Sequence, residues 1–354
     1  MEFLPFSAFC PNLEFAKISD KFSDNVRENY SELKRQNYFQ VYDKESVFVY
    51  EISFASRNYT GVIGLAAYQD YLDGVIKRHE LTIDNKEIEH LKLFNDRKAI
   101  VKPILLSYEV MPEISSRLES LKETSEILYS CKIGKEKHRI WAVQDAALLE
   151  AVRKIDSLYI ADGHHRITVG TKLYLAHPDD AAYAYFPIAL FDFSQLEIKG
   201  FHRLVKFEHF DGVIDQLSLS LNITSVEKYK RPTHKYELAV YYHNQWYFAK
   251  WKPEVLAKYA DKTLLLDTEL LNSELLGPVF GISDFKNDSR IQYVEGNTRV
   301  DKIEAIDHKD VIFFRLFPIS FAEFKKVSDD DISLPPKSTW FFPRIRNGLI
   351  VHEY

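Results

Sequence analysis

The stretch Tyr159-Ile160-Ala161-Asp162-Gly163-His164-His165-Arg166 has the make-up of a phosphate-binding turn. A short apolar run of strand character, Ser157 to Ala161, stops at an Asp-Gly pair, and a helical pattern from Thr168 to Tyr174 follows. Backbone N–H groups at a helix N-terminus point at whatever sits above them, and the helix dipole favours an anion there. The planar fork of Arg166 could clamp a phosphate, and His164 and His165 add donors. Asp162, at the strand's end, could hold a magnesium ion that bridges phosphate oxygens. A plainer reading makes this a common turn in which Asp162 caps the following helix. The density of titratable groups favours function, because a polar cluster at the carboxyl end of a buried strand is where open α/β sheets bind ligands.

Three further groups could carry chemistry. In Lys77-Arg78-His79-Glu80-Leu81-Thr82, Glu80 could act as a general base with His79 tuning it, although a charged run after the Asp73-Gly74 turn also reads as a solvated face. In Gly200-Phe201-His202-Arg203, the last two residues could bring another cation to a phosphate, or form a surface turn or interdomain contact. Lys337-Ser338-Thr339 could reach a ligand from the far end of the chain. Docking of a terminal strand through Trp340 and Phe342 is the favoured reading there.

Familiar signatures are missing. The sequence has no Gly-x-x-x-x-Gly-Lys-Ser/Thr loop, no Gly-x-Gly-x-x-Gly fingerprint, no His-Glu-x-x-His and no Gly-x-Ser-x-Gly elbow. Adjacent His164 and His165 cannot share one helical face as zinc ligands do. Lys plus Arg number 46 against 52 Asp plus Glu, a net charge of -6, which argues against binding nucleic acid or an anionic membrane by bulk charge. Cys10 and Cys131 are too few for a disulfide framework. With no apolar run of spanning length and no secretory pattern at Met1 to Phe9, a cytoplasmic protein is expected.

The elements that must position these residues follow from periodicity. A charged helix is expected over Ser23 to Gln40, with Val26, Tyr30 and Leu33 on one side, in an otherwise peripheral N-terminal stretch. Strands are expected at Val47–Phe54 and Tyr59–Tyr68, where Gly61 and Gly64 indicate a bend or a close backbone approach. Asp84 and Glu87 resemble a capping box ahead of Ile88, Leu91 and Phe94. Ile104–Tyr108 and His138–Val143 read as strands, and Ser115–Glu126 and Gln144–Lys154 as helices. Tyr236–Tyr242 and Gln245–Trp251 read as a hairpin around His243-Asn244, Asp267–Leu276 as a helix and Val311–Leu316 as a strand. At roughly 150 residues per domain, 354 residues allow two domains, and the change of texture after Arg203 puts a boundary near residue 205.

Taken together, these motifs resemble the bacterial and archaeal domain-of-unknown-function 1015 family, itself distantly similar to free serine kinases of the ParB/sulfiredoxin-like superfamily. The matching stretches are Tyr59-Thr60-Gly61-Val62-Ile63-Gly64, Ile76 to Thr82, Tyr159 to Arg166, His202-Arg203 and Leu334-Pro335-Pro336-Lys337-Ser338-Thr339, spread over most of residues 47 to 349. The resemblance implies an α/β (α+β) fold: a ParB/sulfiredoxin-like mixed-sheet domain over 1–205, a C-terminal α/β domain with antiparallel strands over 206–330, and a segment, 331–354, returning to the first domain. It assigns Glu80 as the base, with His79 beside it, Asp162 as the metal-binding acid, and Gly163, His164, His165 and Arg166 as the nucleotide-phosphate loop. His202, Arg203, Lys337, Ser338 and Thr339 join the nucleotide-binding set.

The activity implied is magnesium-dependent phosphoryl transfer from ATP or ADP to a small hydroxyl metabolite, free L-serine first among them. The partners expected are a small-molecule substrate and a nucleotide, with a homodimer possible and neither nucleic acid nor membrane. A nucleotide-hydrolysing switch and a non-catalytic regulator that holds a phosphorylated ligand are the alternatives. Two departures bear on the pocket: a Tyr-Asp-Val sequence usual before the family's first strands is missing, and Ile167 stands where an aromatic often follows the loop arginine.

Overall fold

Residues 1–80, 84–208, 210–306, 310–335 and 337–354 are described by a computed structural model, with backbone only at 84–86. Leu81, Thr82 and Pro336 of the motifs quoted above therefore lie outside the described residues, as does the Asp84 side chain of the capping pair. The chain divides into two units. One comprises Met1–Glu197, Ser328–Ile332 and Pro343–Tyr354, the other Ile198–Val327 and Ser333–Phe342.

In the first unit, near-continuous runs of apolar and β-branched residues build the centre of a large mixed sheet. Its strands are β1 (Phe6–Pro11), β2 (Phe39–Phe54), β3 (Arg57–Ala67), β4 (Ile76–Lys77), β6 (Ile104–Tyr108), β7 (Tyr129–Ile133), β8 (Glu136–Val143), β9 (Leu158–Asp162) and β10 (Tyr185–Asp192); the short β5 (Ala99–Ile100) pairs instead with His352–Glu353. Among the described residues this sheet is nine-stranded, ordered β4-β9-β6-β10-β3-β2-β8-β7, with β1 added to β2. The pairs β4/β9 and β6/β10 are parallel, and the other neighbours run antiparallel. Among the described residues, the helices that accompany it are α1 (Asp20–Arg35), α2 (Tyr68–Leu72), α3 (Asp84–Arg97), α4 (Pro112–Thr124), α5 (Ala146–Arg153) and α6 (His164–Ala176). Val49, Val62, Leu106, Ile160 and Ile188 of the sheet share one core with Ile114, Leu118, Leu148, Val152 and Ile167 of α4, α5 and α6.

Differences from the expected elements have local causes. Helix α1 starts earlier, because Ser19 accepts from the Phe22 amide at 3.2 Å, and it stops at Arg35, ahead of Asn37 at φ 62°. Phe39 then opens β2 where the helix was expected to continue. The N-terminal stretch is not peripheral, since β1 pairs with the first half of β2. In α3 the helix is real but the expected stripe is only partly inside: Phe94 is buried, whereas Ile88 is 67% exposed and Leu91 37%. The predicted strand Ile104–Tyr108 matches β6 end to end.

Of the two meanings offered for Gly61, close approach is the one observed. A Cβ there would lie 2.3 Å from the Leu190 carbonyl oxygen and 2.6 Å from the Phe191 ring, both on β10. Because one of the obstacles is backbone, Gly61→Ala should force the two central strands apart. We expect a loss of about 3 kcal/mol, the upper end of ordinary overpacking costs, read as a lowered urea midpoint. An unchanged midpoint would contradict the approach.

The second unit is built on an antiparallel sheet, six-stranded among the described residues. Its strands are β12 (His202–Lys206), β13 (Leu221–Val226), β14 (Glu237–Tyr242), β15 (Gln245–Trp251), β16 (Ile291–Val294) and β17 (Val311–Leu316), ordered β13-β15-β14-β17-β12-β16; β11 (Glu197–Gly200) pairs separately with β18 (Thr339–Phe342). The expected hairpin forms at the expected residues, and His243 and Asn244 adopt φ 47° and 59°, the paired left-handed geometry of a two-residue hairpin turn. The predicted helix over Asp267–Leu276 is α-helical to Leu271 and continues as a wider π-turn over Asn272–Leu276. No helix of the described residues is long and apolar enough to cross a membrane.

Candidate functional site

The site begins where β9 leaves the sheet of the first unit. Leu158 to Ala161 are buried, and the pairing with β6 slips at the end: Leu106 faces Ile160, whereas Leu105 faces Asp162. That one-residue bulge re-aims the strand's last side chain. Gly163 follows at φ 120°, a conformation that L side chains rarely adopt, and a Cβ there would meet the Arg166 guanidinium at 2.9 Å. Helix α6 starts immediately at His164, so His164, His165 and Arg166 form its first turn and are not part of a preceding loop.

Asp162 is not the helix cap. The cap position is Gly163, with no side-chain cap bond, and the Asp162 carboxylate instead gathers three cations. Oδ2 accepts from Lys102 Nζ at 2.9 Å and Arg166 Nη2 at 2.7 Å, and Oδ1 accepts from Arg344 Nη2 at 2.5 Å. Burial pushes this carboxyl up, yet Lys102, Arg344 and Arg166 together hold it well below the usual carboxylate range. Burial brings the Lys102 ammonium down to about 8 against the pull of Asp162. Arg166 is turned into the protein: its Nη1 donates to the Lys102 and Pro103 carbonyls at 2.6 and 2.7 Å. Its fork clasps the start of β6 to the end of β9, a different use from the phosphate clamp that its place in the sequence implied.

A magnesium ion held by Asp162 does not fit these residues. Both carboxylate oxygens already serve cations, and like unit charges about 4 Å apart repel by roughly 4 kcal/mol near a protein surface, a cost a divalent ion would double. Nor does a group of three His, Cys, Asp or Glu side chains that could hold a metal occur among the described residues.

The second sequence candidate comes to the same place. Strand β4 pairs in parallel with the start of β9, Ile76 opposite Leu158 and Lys77 opposite Tyr159. Lys77 Nζ and the Tyr159 hydroxyl both donate to Asp329 Oδ1, at 2.6 and 3.0 Å. His79 is buried and meets the His164 ring edge to face, centroids 4.5 Å apart. Burial, reinforced by His164, drives His79 well below its ordinary pKa, so it is a neutral imidazole. Glu80, half-buried, is the next residue. On the other flank, His90 stacks near His165 with centroids 6.1 Å apart, and burial followed by Arg166, His165, Arg27 and Arg97 holds it down to about 3.

The remaining candidates belong to the second unit. His202 and Arg203 are buried on β12. His202 Nδ1 accepts from the Leu316 amide at 3.3 Å, and burial, then Arg315 and Arg203, hold its pKa well below the ordinary value. Arg203 lies over the Tyr293 ring at 4.4 Å and donates to the Phe201 carbonyl at 3.1 Å. Lys337 sits over the Phe201 ring at 5.2 Å, Ser338 donates to the Pro335 carbonyl at 2.7 Å, and Thr339 opens β18. The first unit thus assembles His79, Glu80, Asp162, Gly163, His164, His165 and Arg166, and the second holds His202, Arg203, Lys337, Ser338 and Thr339.

Two residues of the cluster, Lys102 and Arg344, escaped the sequence reading. Lys102 is a lone cation before Pro103, and Arg344 lies 182 residues from Asp162, after an aromatic run. Neither position carries a local signal.

The model of a family described as a protein of unknown function, DUF1015, matches residues 11–269. The chain belongs to that family. No curated protein matches this DUF1015 chain significantly. Among solved structures it is similar to SbnI with a C-terminal truncation from Staphylococcus aureus, at 12% identity and a TM-score of 0.45, covering 80% of this chain and 85% of the other. It is also similar to a free serine kinase in complex with AMP, at 12% identity and a TM-score of 0.41, with coverage of 80% and 90%. A conserved hypothetical protein from Pyrococcus furiosus follows at 14% identity and a TM-score of 0.39, with coverage of 80% and 94%. Arg344 lies beyond the segment that the DUF1015 model matches.

Proposed function

We propose that the chain binds a nucleotide and transfers a phosphoryl group from ATP or ADP to a small hydroxyl metabolite, with free L-serine the first acceptor to test and O-phosphoserine its product. The observation that carries this reading is the contact of His79 with His164. It joins the one acidic residue proposed as a base, Glu80, to the first turn of α6, two segments far apart in sequence that were singled out for complementary tasks. Phosphoryl transfer asks for positioning and charge neutralisation more than for covalent chemistry by the protein.

In this reading the acceptor's hydroxyl oxygen forms the new P–O bond, the bond to the nucleotide's bridging oxygen breaks, and Glu80 takes the hydroxyl proton. Neutral His79 can accept or donate a hydrogen bond without adding a second charge beside the base. The α6 N-terminus faces the developing negative charge.

Purified protein would be incubated with ATP or ADP and a pool of free amino acids and small alcohols, with and without magnesium, and products resolved by mass spectrometry. A phosphorylated acceptor is the expected result. Nucleotide loss with no phosphorylated acceptor would replace this reading with the switch, and no turnover with any acceptor would leave the regulator.

A further inference from the structure

Strand β17 carries a charge into an otherwise apolar row. Val311 and Phe313, on one face of the strand, pack into a small apolar cluster with Leu204, Ala239, Tyr241 and Trp246. Arg315 is next in that row, opposite Ala239 of β14, and is only partly exposed. A guanidinium brings five N–H donors and a charge it does not give up, so burying it calls for a carboxylate. Among the described residues no carboxylate pairs with Arg315. Its one side-chain hydrogen bond is long, from Nη2 to the Gly296 carbonyl at 3.4 Å. The Tyr229 ring, 5.1 Å away, attracts the charge but gives the N–H donors no strong acceptor.

The neighbours of Arg315 deepen the imbalance. Arg231, on the connection between β13 and β14, is exposed and also has no carboxylate partner among the described residues. Burial holds the Arg315 guanidinium below its ordinary pKa, opposed by Tyr229 and reinforced by Arg231. The Tyr229 ring is fixed edge-on against Trp246, centroids 4.9 Å apart, and its hydroxyl is buried with no hydrogen-bond partner. Burial pushes that hydroxyl's pKa up while Arg315 and Arg231 pull it back, which places it beside both cations. His202, edge to face with Phe313 at 5.8 Å, is neutral and adds no charge. Two guanidinium groups and a hydroxyl thus offer donors to one place, and no negative charge of the protein meets them.

We infer that Arg315, Arg231 and the Tyr229 hydroxyl form a binding site for a small molecule bearing carboxylates. All three residues belong to the second unit, and the inference does not depend on the phosphoryl-transfer reading. A carboxylate presents two oxygens in one plane, which match a guanidinium fork and keep lone pairs for a hydroxyl. Two positive charges without a counter-charge favour a ligand with at least two carboxylates. Phosphate is more often met by backbone N–H groups at a helix N-terminus or nest, whereas the donors here are side chains on a sheet face.

The test compares urea midpoints of the full chain, as wild type and as Arg315→Met, without additive and with succinate, citrate or inorganic phosphate at matched ionic strength. A partly buried charge without a counter-charge weakens the fold, so the uncharged Arg315→Met should raise the midpoint when no ligand is present. Succinate or citrate should raise the wild-type midpoint and leave Arg315→Met unmoved, since only the wild type gains binding energy in the folded state. Calorimetric titration with the carboxylate that acts should then show saturable binding. Arg231→Gln should weaken it by about tenfold, the scale of a lost charged hydrogen bond, and Tyr229→Phe, which removes only the hydroxyl, by less. A lowered midpoint in ligand-free Arg315→Met would make the arginine a structural residue and overturn the site. Wild-type midpoints indifferent to both carboxylates, or equal shifts in wild type and Arg315→Met, would overturn it as well. A phosphate shift as large as that of the carboxylates would overturn the assignment of ligand class.

Discussion

Replacing Glu80 by Gln should lower phosphoryl transfer by roughly a hundred- to ten-thousand-fold, the usual contribution of a positioned general base. Nucleotide affinity should change by no more than about twofold, because the substitution keeps the shape of the side chain and leaves the Asp162 cluster intact. The separation of these effects is the informative part. His79 cannot take over as base without becoming a buried cation, which its surroundings oppose. The measurement is kcat for the phosphorylated acceptor alongside the nucleotide Kd from calorimetry. Unchanged turnover would remove Glu80 from the mechanism. A loss of nucleotide binding to match the loss of turnover would make it a structural or ligand-binding residue.

The second large effect concerns stability and lies in the other unit. Asp267 is 5% exposed, and burial pushes its carboxyl up to about 7, only partly offset by the Tyr236 amide, Lys235 and the Trp251 indole. An unfolded chain releases this proton near pH 4, whereas the folded one keeps it to about 7. Folding therefore takes up a proton in that window, and stability must fall as the pH rises through it before levelling off. At about 1.4 kcal/mol per unit the full effect is bounded at roughly 4 kcal/mol. Asp267→Asn, which has no proton to hold, should lose most of that slope. Urea unfolding at pH 5 and pH 8 checks it, and tryptophan fluorescence suits the purpose because Trp246, Trp251 and Trp340 lie in the second unit and only Trp141 in the first. Parallel pH profiles for variant and wild type would show that Asp267 is not the titrating group.

Local pattern was a good guide wherever local forces decide. Apolar runs bounded by Pro103 and Asp162 mark β6 and β9, and His243-Asn244 between two apolar runs marks the β14/β15 hairpin, because strand propensity and turn chemistry agree there. Strand β10 defeated the same reasoning. Pro187 argues against a central strand, yet β10 lies between β3 and β6, buried from Phe186 to Asp192 by partners that no neighbouring residue announces. Strand β1 is similar, since its partners are the first half of β2 and, at Phe9, the distant Val351. At the site, the turn and its titratable residues were legible as far as Arg166. The direction of its fork was not, and nothing about Lys102 or Arg344 distinguishes either from an ordinary surface cation. Their meaning comes from the fold alone.

The position of Arg344 also sets an order of events during synthesis. A nascent chain that has just made Asp162 must be extended by another 182 residues before that carboxylate can meet its third cation. The strands of the large mixed sheet, all encoded ahead of Ile198, can pair in the meantime, since domains generally fold as they emerge. A ribosome-bound chain would then carry a formed sheet whose Asp162 carboxylate waits for its third partner until translation has passed Arg344.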